Sequence, residues 1–366
     1  METVFNRPKQ MNAIDIDVQL RMLSMQKFWH ENPDQIPRYM LMYGAGDKAF
    51  CAGGDIKYAN VTCDTQQKWH HLFRTYHLII HQLRQMKKPF HIVFYNGYAA
   101  GGASGYSINA PIRIATEKTL FTMPEVQIGY LTDSGATYYF SRLCGKSLGM
   151  HLGVTGRKVY GKDLVKYGLA THFVEHQNLE KLRQELIHNL KADTPESEAY
   201  RIVEKYNIPI EDKTIENIDQ INEIYQYDSY KAAYKRLMKS NTKFAKSIQQ
   251  QMIEETHSPL SHALIYELIK KGSEEKTYRE GLFNEFRAQM AFWESNEFKE
   301  GTRAKLVDRD NNPRWKHKSV DQVPIEDVEH FTQYPLRETI DEVYTMERYC
   351  YWNDGNFKPF NLDQLK

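Results

Sequence analysis

Short runs of consecutive apolar residues, each closed by turn-forming residues, constrain this chain most. Tyr39-Met40-Leu41-Met42-Tyr43 ends at Gly44-Ala45-Gly46, His91-Ile92-Val93-Phe94-Tyr95 lies between Pro89 and Asn96-Gly97, and a third run covers 112–115. Runs without polar alternation suit strands buried on both faces. Between the first two, Trp69, Leu72, Tyr76, Ile79, Ile80 and Leu83 recur at helical spacing. Strand, helix and strand in turn predict an α/β fold. From about residue 179 the pattern becomes helical, beginning with a stripe of Leu179, Leu182, Leu186 and Leu190. Ser258-Pro259 reads as an N-cap and first-turn proline, with the helix stopping at Lys271 before Gly272. Residues 274–298 are expected as one long amphipathic helix with Phe283, Phe286, Met290 and Trp293 at its apolar positions. A polar turn follows at 308–313. The end of the chain, from Val320, is acidic and aromatic, with Tyr344, Tyr349, Tyr351, Trp352, Phe357 and Phe360.

A chain of 366 residues can bury a substantial core, as one large domain or two modest ones. Its 48 basic and 47 acidic residues leave a net charge of +1, which demands neither a nucleic acid nor a membrane partner. Four scattered cysteines (Cys51, Cys63, Cys144, Cys350) form no CxxC pair and stand in no ligand-spaced cluster with histidine. They read as free thiols in a reducing compartment, with no metal site expected. No apolar run approaches the roughly 18 residues of a membrane span. The opening Met-Glu-Thr-Val-Phe-Asn-Arg-Pro has the character of neither a signal peptide nor an Arg/Ser-rich presequence.

Two glycine turns carry the chemical signal. Asn96-Gly97-Tyr98-Ala99-Ala100-Gly101-Gly102-Ala103-Ser104-Gly105 is read as a strand-to-helix turn that points unpaired N–H groups outward. Gly102 lacks a Cβ, so a substrate oxygen could approach its amide. The GxGxxG order of a dinucleotide site is absent. Cys51-Ala52-Gly53-Gly54-Asp55-Ile56 is a second such turn, and a donor from each would form an oxyanion hole. Glu125 and Asp133, eight residues apart in a loop-like setting, could divide the roles of nucleophile or base and proton donor. Taken singly, each feature has a plainer explanation: a tight turn, or acids that cap helices or face water. None of the 14 histidines sits in a Ser-His-Asp or Cys-His arrangement, and the chain lacks a GxSxG elbow.

Together with Asn6-Arg7-Pro8-Lys9 and Asn12-Ala13, these segments resemble the enoyl-CoA hydratase/isomerase (crotonase) superfamily. Within it the chain resembles the 3-hydroxyisobutyryl-CoA hydrolase branch over about residues 5–325. The marks of that branch are Arg113-Ile114-Ala115-Thr116-Glu117, Met123-Pro124-Glu125, Asp133, Tyr139-Phe140-Ser141-Arg142-Leu143, Gly168-Leu169-Ala170-Thr171-His172-Phe173-Val174, and the later runs at 297–304, 308–310 and 313–316. The resemblance implies a crotonase-like spiral of ββα units with a helical C-terminal region. It divides the chain into an acyl-CoA-binding core at 1–195, a helical region at 196–327, and an extra aromatic and acidic tail at 328–366.

The same resemblance implies a site. Glu125 and Asp133 would be catalytic, Glu125 as nucleophile or as base on water and Asp133 near the substrate's hydroxyl end. Gly54, Gly102 and Gly101 would hold the thioester carbonyl, with Ala52, Gly53, Asp55 and Ile56 along the CoA. Gly105 stands where hydratases carry a second glutamate, which argues against hydration. Departures are Arg74-Thr75 where a Glu-Glu pair is usual, Ala103 for a third glycine, Thr132 for a proline, and Ser134-Gly135-Ala136 for Val-Gly-Gly. No cofactor is implied beyond coenzyme A as part of the substrate. The activity implied is hydrolysis of an acyl-CoA thioester in valine catabolism, in the mitochondrial matrix, by a protein with room for a homo-oligomer and no membrane partner. An alternative from another class is a structural subunit of the mitochondrial small ribosome, contacting ribosomal proteins and rRNA.

Overall fold

The computed structural model describes residues 1–226 and 228–345. Among the described residues nine strands make two sheets. β1 (Glu2–Phe5), β2 (Tyr39–Gly44), β4 (Phe90–Tyr95), β6 (Ile112–Ala115) and β9 (His172–Phe173) form one sheet in that order, every pairing parallel. β3 (Ala49–Cys51), β5 (Tyr98–Ala100), β7 (Leu120–Thr122) and β8 (Val159–Tyr160) form the second, parallel except for β7 with β8. Successive strand pairs therefore send one member to each sheet, and helices between pairs carry the chain onward: a spiral of ββα turns. α1 (Ile16–Glu31), α2 (Ile56–Thr62), α3 (Gln66–Gln85), α4 (Ala103–Ser107), α5 (Ala136–Leu143), α6 (Lys146–Thr155) and α7 (Asp163–Lys166) belong to this half.

The apolar runs are buried on both faces because each face meets a different core. Phe90, Ile92 and Phe94 of β4 pack with Leu182 and Leu186 of α8 (Leu179–Asn189) and with Ile202 and Val203 of α9 (Glu196–Glu204). Val93 and Tyr95, pointing the other way, join the main core. The leucine stripe read from sequence is the inner face of α8, and packing runs on across residue 195 into α9. β5 was absent from the sequence reading: the chain does not pass straight from β4 to the glycine turn. Asn96-Gly97 turns it into a three-residue strand of the second sheet, too short to show a period.

The helices that follow are α10 (Ile218–Ile224), α11 (Tyr230–Lys239), α12 (Lys243–Glu254), α13 (Pro259–Glu274), α14 (Tyr278–Ala291), α15 (Glu297–Thr302), α16 (Ile325–Thr332) and α17 (Ile340–Tyr344). Ser258 caps α13 by accepting from Ser261 N, as expected. The helix does not stop at Gly272, however. That glycine is interior and lets α13 close onto α5, because a Cβ there would stand 2.2 Å from the Thr137 carbonyl oxygen. The single helix expected over 274–298 is two, α14 and α15. Thr277 opens α14 with a reciprocal capping box to Glu280, an N-terminal signal that outweighs the continuing apolar period. Val328, Phe331, Val343 and Tyr344 are buried in the main core. The later aromatic residues expected in the tail, 349–360, lie outside the described residues.

Candidate active site

The motif at the chain's start holds the first glycine turn in place. Arg7 donates to the Ala13 carbonyl at 2.7 Å and pairs with Asp15 and Asp55, each at 3.1 Å. Asn12 donates to the Ala45 and Ala49 carbonyls at 3.0 and 2.8 Å. Ile14 then bridges the turn, its N–H donating to Gly53 O and its carbonyl accepting from Asp55 N, both at 2.8 Å. Asp55 also caps α2 by accepting from Tyr58 N at 3.2 Å. Its carboxylate is thus committed to the scaffold, although the residue lines the cavity described below.

The two turns meet. A Cβ built on Gly53 would lie 2.9 Å from Gly102 N, and one on Gly102 would lie 3.2 Å from Gly54 N. Gly53, at φ +85° and with the Ala100 carbonyl beside it, admits no side chain. Among the described residues neither Gly54 N–H nor Gly102 N–H donates to a backbone carbonyl. The helix after Gly102 has only five residues, so these amides act as individual donors more than as the end of a macrodipole.

The acids stand beside them. Glu125 opens a 3-10 turn (Glu125–Ile128) after Pro124, and a Cβ on Gly101 would lie 2.8 Å from its Oε1. Glu125 Oε2 is buried with no hydrogen-bond partner among the described residues. Burial, and then the nearby Asp133, hold the Glu125 carboxyl well above the usual carboxylate range. Asp133 is also pushed up by burial, against the pull of two donors: Ser134 Oγ to Oδ1 at 2.7 Å and Gln289 Nε2 to Oδ2 at 2.6 Å. Both acids line a cavity of about 360 Å³, together with Ala52, Gly54, Asp55, Ile56, Gly101 and Gly102. Gly53 is not among its lining residues; its part is to let the turns approach. Metal-ligand clusters of His, Cys, Asp or Glu are absent among the described residues.

Several contributors were not read from sequence as site residues. Tyr76, visible only as one member of the α3 stripe, reaches the site, its hydroxyl 2.8 Å from Gly102 O and 2.6 Å from Ser134 Oγ. It also explains Gly105: a Cβ there would stand 2.4 Å from the Tyr76 hydroxyl, which fills the space a larger side chain would need. Ser134 holds a left-handed backbone, φ +68°. Glu285 of α14 accepts from Gly135 N, Thr137 N and Thr137 Oγ1 at 2.8, 3.1 and 2.6 Å, fixing the loop after Asp133. Lys305 and Leu306 enter from a π turn (Arg303–Val307) at the cavity wall. Arg74, in place of the usual glutamate, turns away to the C-terminal segment: it donates to Glu342 O at 2.7 Å and lies 3.4 Å from Glu338.

Paired sheets in a ββα spiral, with two glycine turns in contact beside one buried glutamate, define a class. The chain belongs to the enoyl-CoA hydratase/isomerase family, whose model matches residues 2–332. It is 34% identical over 333 residues to the mitochondrial 3-hydroxyisobutyryl-CoA hydrolase of Mus musculus, covering 89% of this chain and 84% of that one. To the protein of the same name from Dictyostelium discoideum it is 32% identical, with 88% and 86% covered. Among solved structures, a carnitinyl-CoA dehydratase from Mycobacterium thermoresistibile superposes with a TM-score of 0.82 at 25% identity, covering 94% and 96%. An enoyl-CoA hydratase from Rhodobacter sphaeroides gives 0.78 at 24%, covering 90% and 94%, a likeness of fold.

Proposed function

We propose that this protein hydrolyses the thioester of a short, hydroxylated acyl-CoA of the 3-hydroxyisobutyryl type, as a step of valine breakdown in the mitochondrial matrix. One observation carries the reading: a buried glutamate with an unpartnered Oε2 lines the same cavity as Gly54 and Gly102, whose amides approach each other. A buried polar atom without a partner is expensive unless a ligand or reactant meets it. The names of the relatives, mitochondrial 3-hydroxyisobutyryl-CoA hydrolases, support the acyl group and a mitochondrial setting.

In this reading the Gly54 and Gly102 amides donate to the thioester carbonyl oxygen, most strongly when it becomes an oxyanion. Glu125 takes a proton from water as the water oxygen bonds to the carbonyl carbon. The C–S bond then breaks, and the proton passes from Glu125 to the departing sulfur, leaving a carboxylic acid and free CoA. In the other order Glu125 attacks the carbonyl carbon itself and the C–S bond breaks, CoA leaving as the thiolate; water then cleaves the resulting anhydride, which hydroxylamine would trap, freeing the acid and Glu125 while the released proton ends on the thiolate. Asp133, held on both oxygens, faces the acyl group. With no side chain at 105 and Tyr76 occupying that space, a second glutamate for adding water to a double bond is missing. Coenzyme A enters only with the substrate.

Purified protein is expected to release free CoA from 3-hydroxyisobutyryl-CoA, and Glu125→Gln to lower that rate by about a hundredfold or more, the range for a lost general base. Absence of thioesterase activity, with co-sedimentation of the protein with small ribosomal subunits, would replace the reading by a structural one. A cavity beside Glu125 that is not filled by side chains favours the enzyme.

A further inference from the structure

We propose that Gln289 is the positioning residue that keeps Asp133 aimed as an acceptor for a hydroxyl on the acyl group, and so sets preference for hydroxylated over plain acyl chains. The inference rests on the hydrolase reading above. Gln289 lies 156 residues beyond Asp133 in sequence, on α14, and is fully buried. Its amide nitrogen donates to Asp133 Oδ2 at 2.6 Å while Ser134 Oγ donates to Oδ1 at 2.7 Å. One donor on each oxygen fixes the plane of the carboxylate and leaves further lone pairs on both oxygens for a donor from the cavity Asp133 lines.

Gln289 is itself held. Trp69 Nε1 donates to its backbone carbonyl at 2.8 Å. One helical turn earlier on the same face, Glu285 grips the backbone of the loop that follows Asp133. α14 thus orients the carboxylate with one side chain and anchors its loop with another. A neutral amide suits the first task, because it donates without supplying a counter-charge that would turn the carboxylate away from a substrate. Without Gln289, Asp133 Oδ2 would lose its donor, and the carboxyl would rotate or bind a proton, becoming a poorer acceptor.

The test compares kcat/KM for 3-hydroxyisobutyryl-CoA with that for isobutyryl-CoA, which lacks only the hydroxyl. Gln289→Met keeps an unbranched side chain of similar length and removes the donor; Gln289→Leu removes it with a branched side chain. Thermal unfolding establishes that each variant is folded. Both are expected to cut the preference for the hydroxylated substrate by about tenfold, as loss of a charged hydrogen bond implies, with the larger part in KM. Asp133→Asn should do the same, and adding Gln289→Met to it should cost little more, since the two act through one contact. Folded Gln289 variants that slow both substrates equally, or a fully additive double variant, would overturn the role given to Gln289 while leaving the hydrolase reading intact. Wild-type protein that cleaves neither thioester would overturn both.

Discussion

Glu125 is a carboxyl whose surroundings disfavour its charge. It is 7% exposed, and burial and the Asp133 charge both raise its pKa. In the proposed hydrolysis Glu125 works only when deprotonated, so the sign is fixed: kcat/KM is expected to rise with pH through an apparent value above the ordinary carboxylate range, and not to level off near it. A pH–rate profile measured at low substrate checks this. Replacing Asp133 by Asn should move the rising limb to lower pH, because one of the two causes is removed. The residue itself was legible in sequence, from Met-Pro-Glu beside glycine turns. Its elevated pKa was not, since burial and a neighbouring charge are properties of folded space.

At the level of elements, α14 does more for the site than its position in the chain suggests. Glu285 is fully buried, and burial first, then Asp133, push its carboxyl up to about 8 from 4.5. The folded protein therefore holds this proton over a range where the unfolded chain has released it. Stability from this group is full below about pH 4.5 and declines as pH rises towards about 8. Glutamine does not titrate. The melting temperature of Glu285→Gln relative to wild type should therefore climb as pH is raised across that window, whatever fixed cost the substitution carries in hydrogen bonds to Gly135 and Thr137. A difference that stays constant with pH would mean the carboxyl is ionised throughout. The sequence showed α14 only as a stretch of an overlong helix: Phe286 and Met290 gave its apolar period, while Glu285 and Gln289 were not singled out.

For the whole molecule, the segment 333–345 closes over the outer surfaces of α3 and α14. Arg74 and His70 of α3 pair with Glu338, Arg279 of α14 lies 2.5 Å from Asp341, and His81 stacks on Tyr344 at 4.7 Å. Those two helices bring Tyr76 and Gln289 to the site, so the segment braces the frame that holds it. The exposed Arg279–Asp341 pair contributes little. Tyr344, 4% exposed and part of the main core, contributes more. Tyr344→Ala is expected to lower stability by about 3 kcal/mol, as other large aromatic truncations do, measured by chemical denaturation. A loss below about 0.5 kcal/mol, typical of surface positions, would mean the segment is not bound as described.

By itself the sequence determined the α/β class, strands at 39–43, 91–95 and 112–115 that the structure extends to 39–44 and 90–95, the long α3, the two glycine turns and the positions of the two acids. These are local matters: a run without polar alternation must be buried on both faces, and a turn that brings two backbones together needs glycine. Tertiary structure alone decided that the turns lie on neighbouring strands and meet, that Gly272 is a contact and not a stop, and that Arg74 leaves the site for the chain's end. It also decided that an amide from α14 holds Asp133. No periodicity links residues 156 positions apart; only the packing of α14 against the loop after β7 brings them within hydrogen-bonding distance.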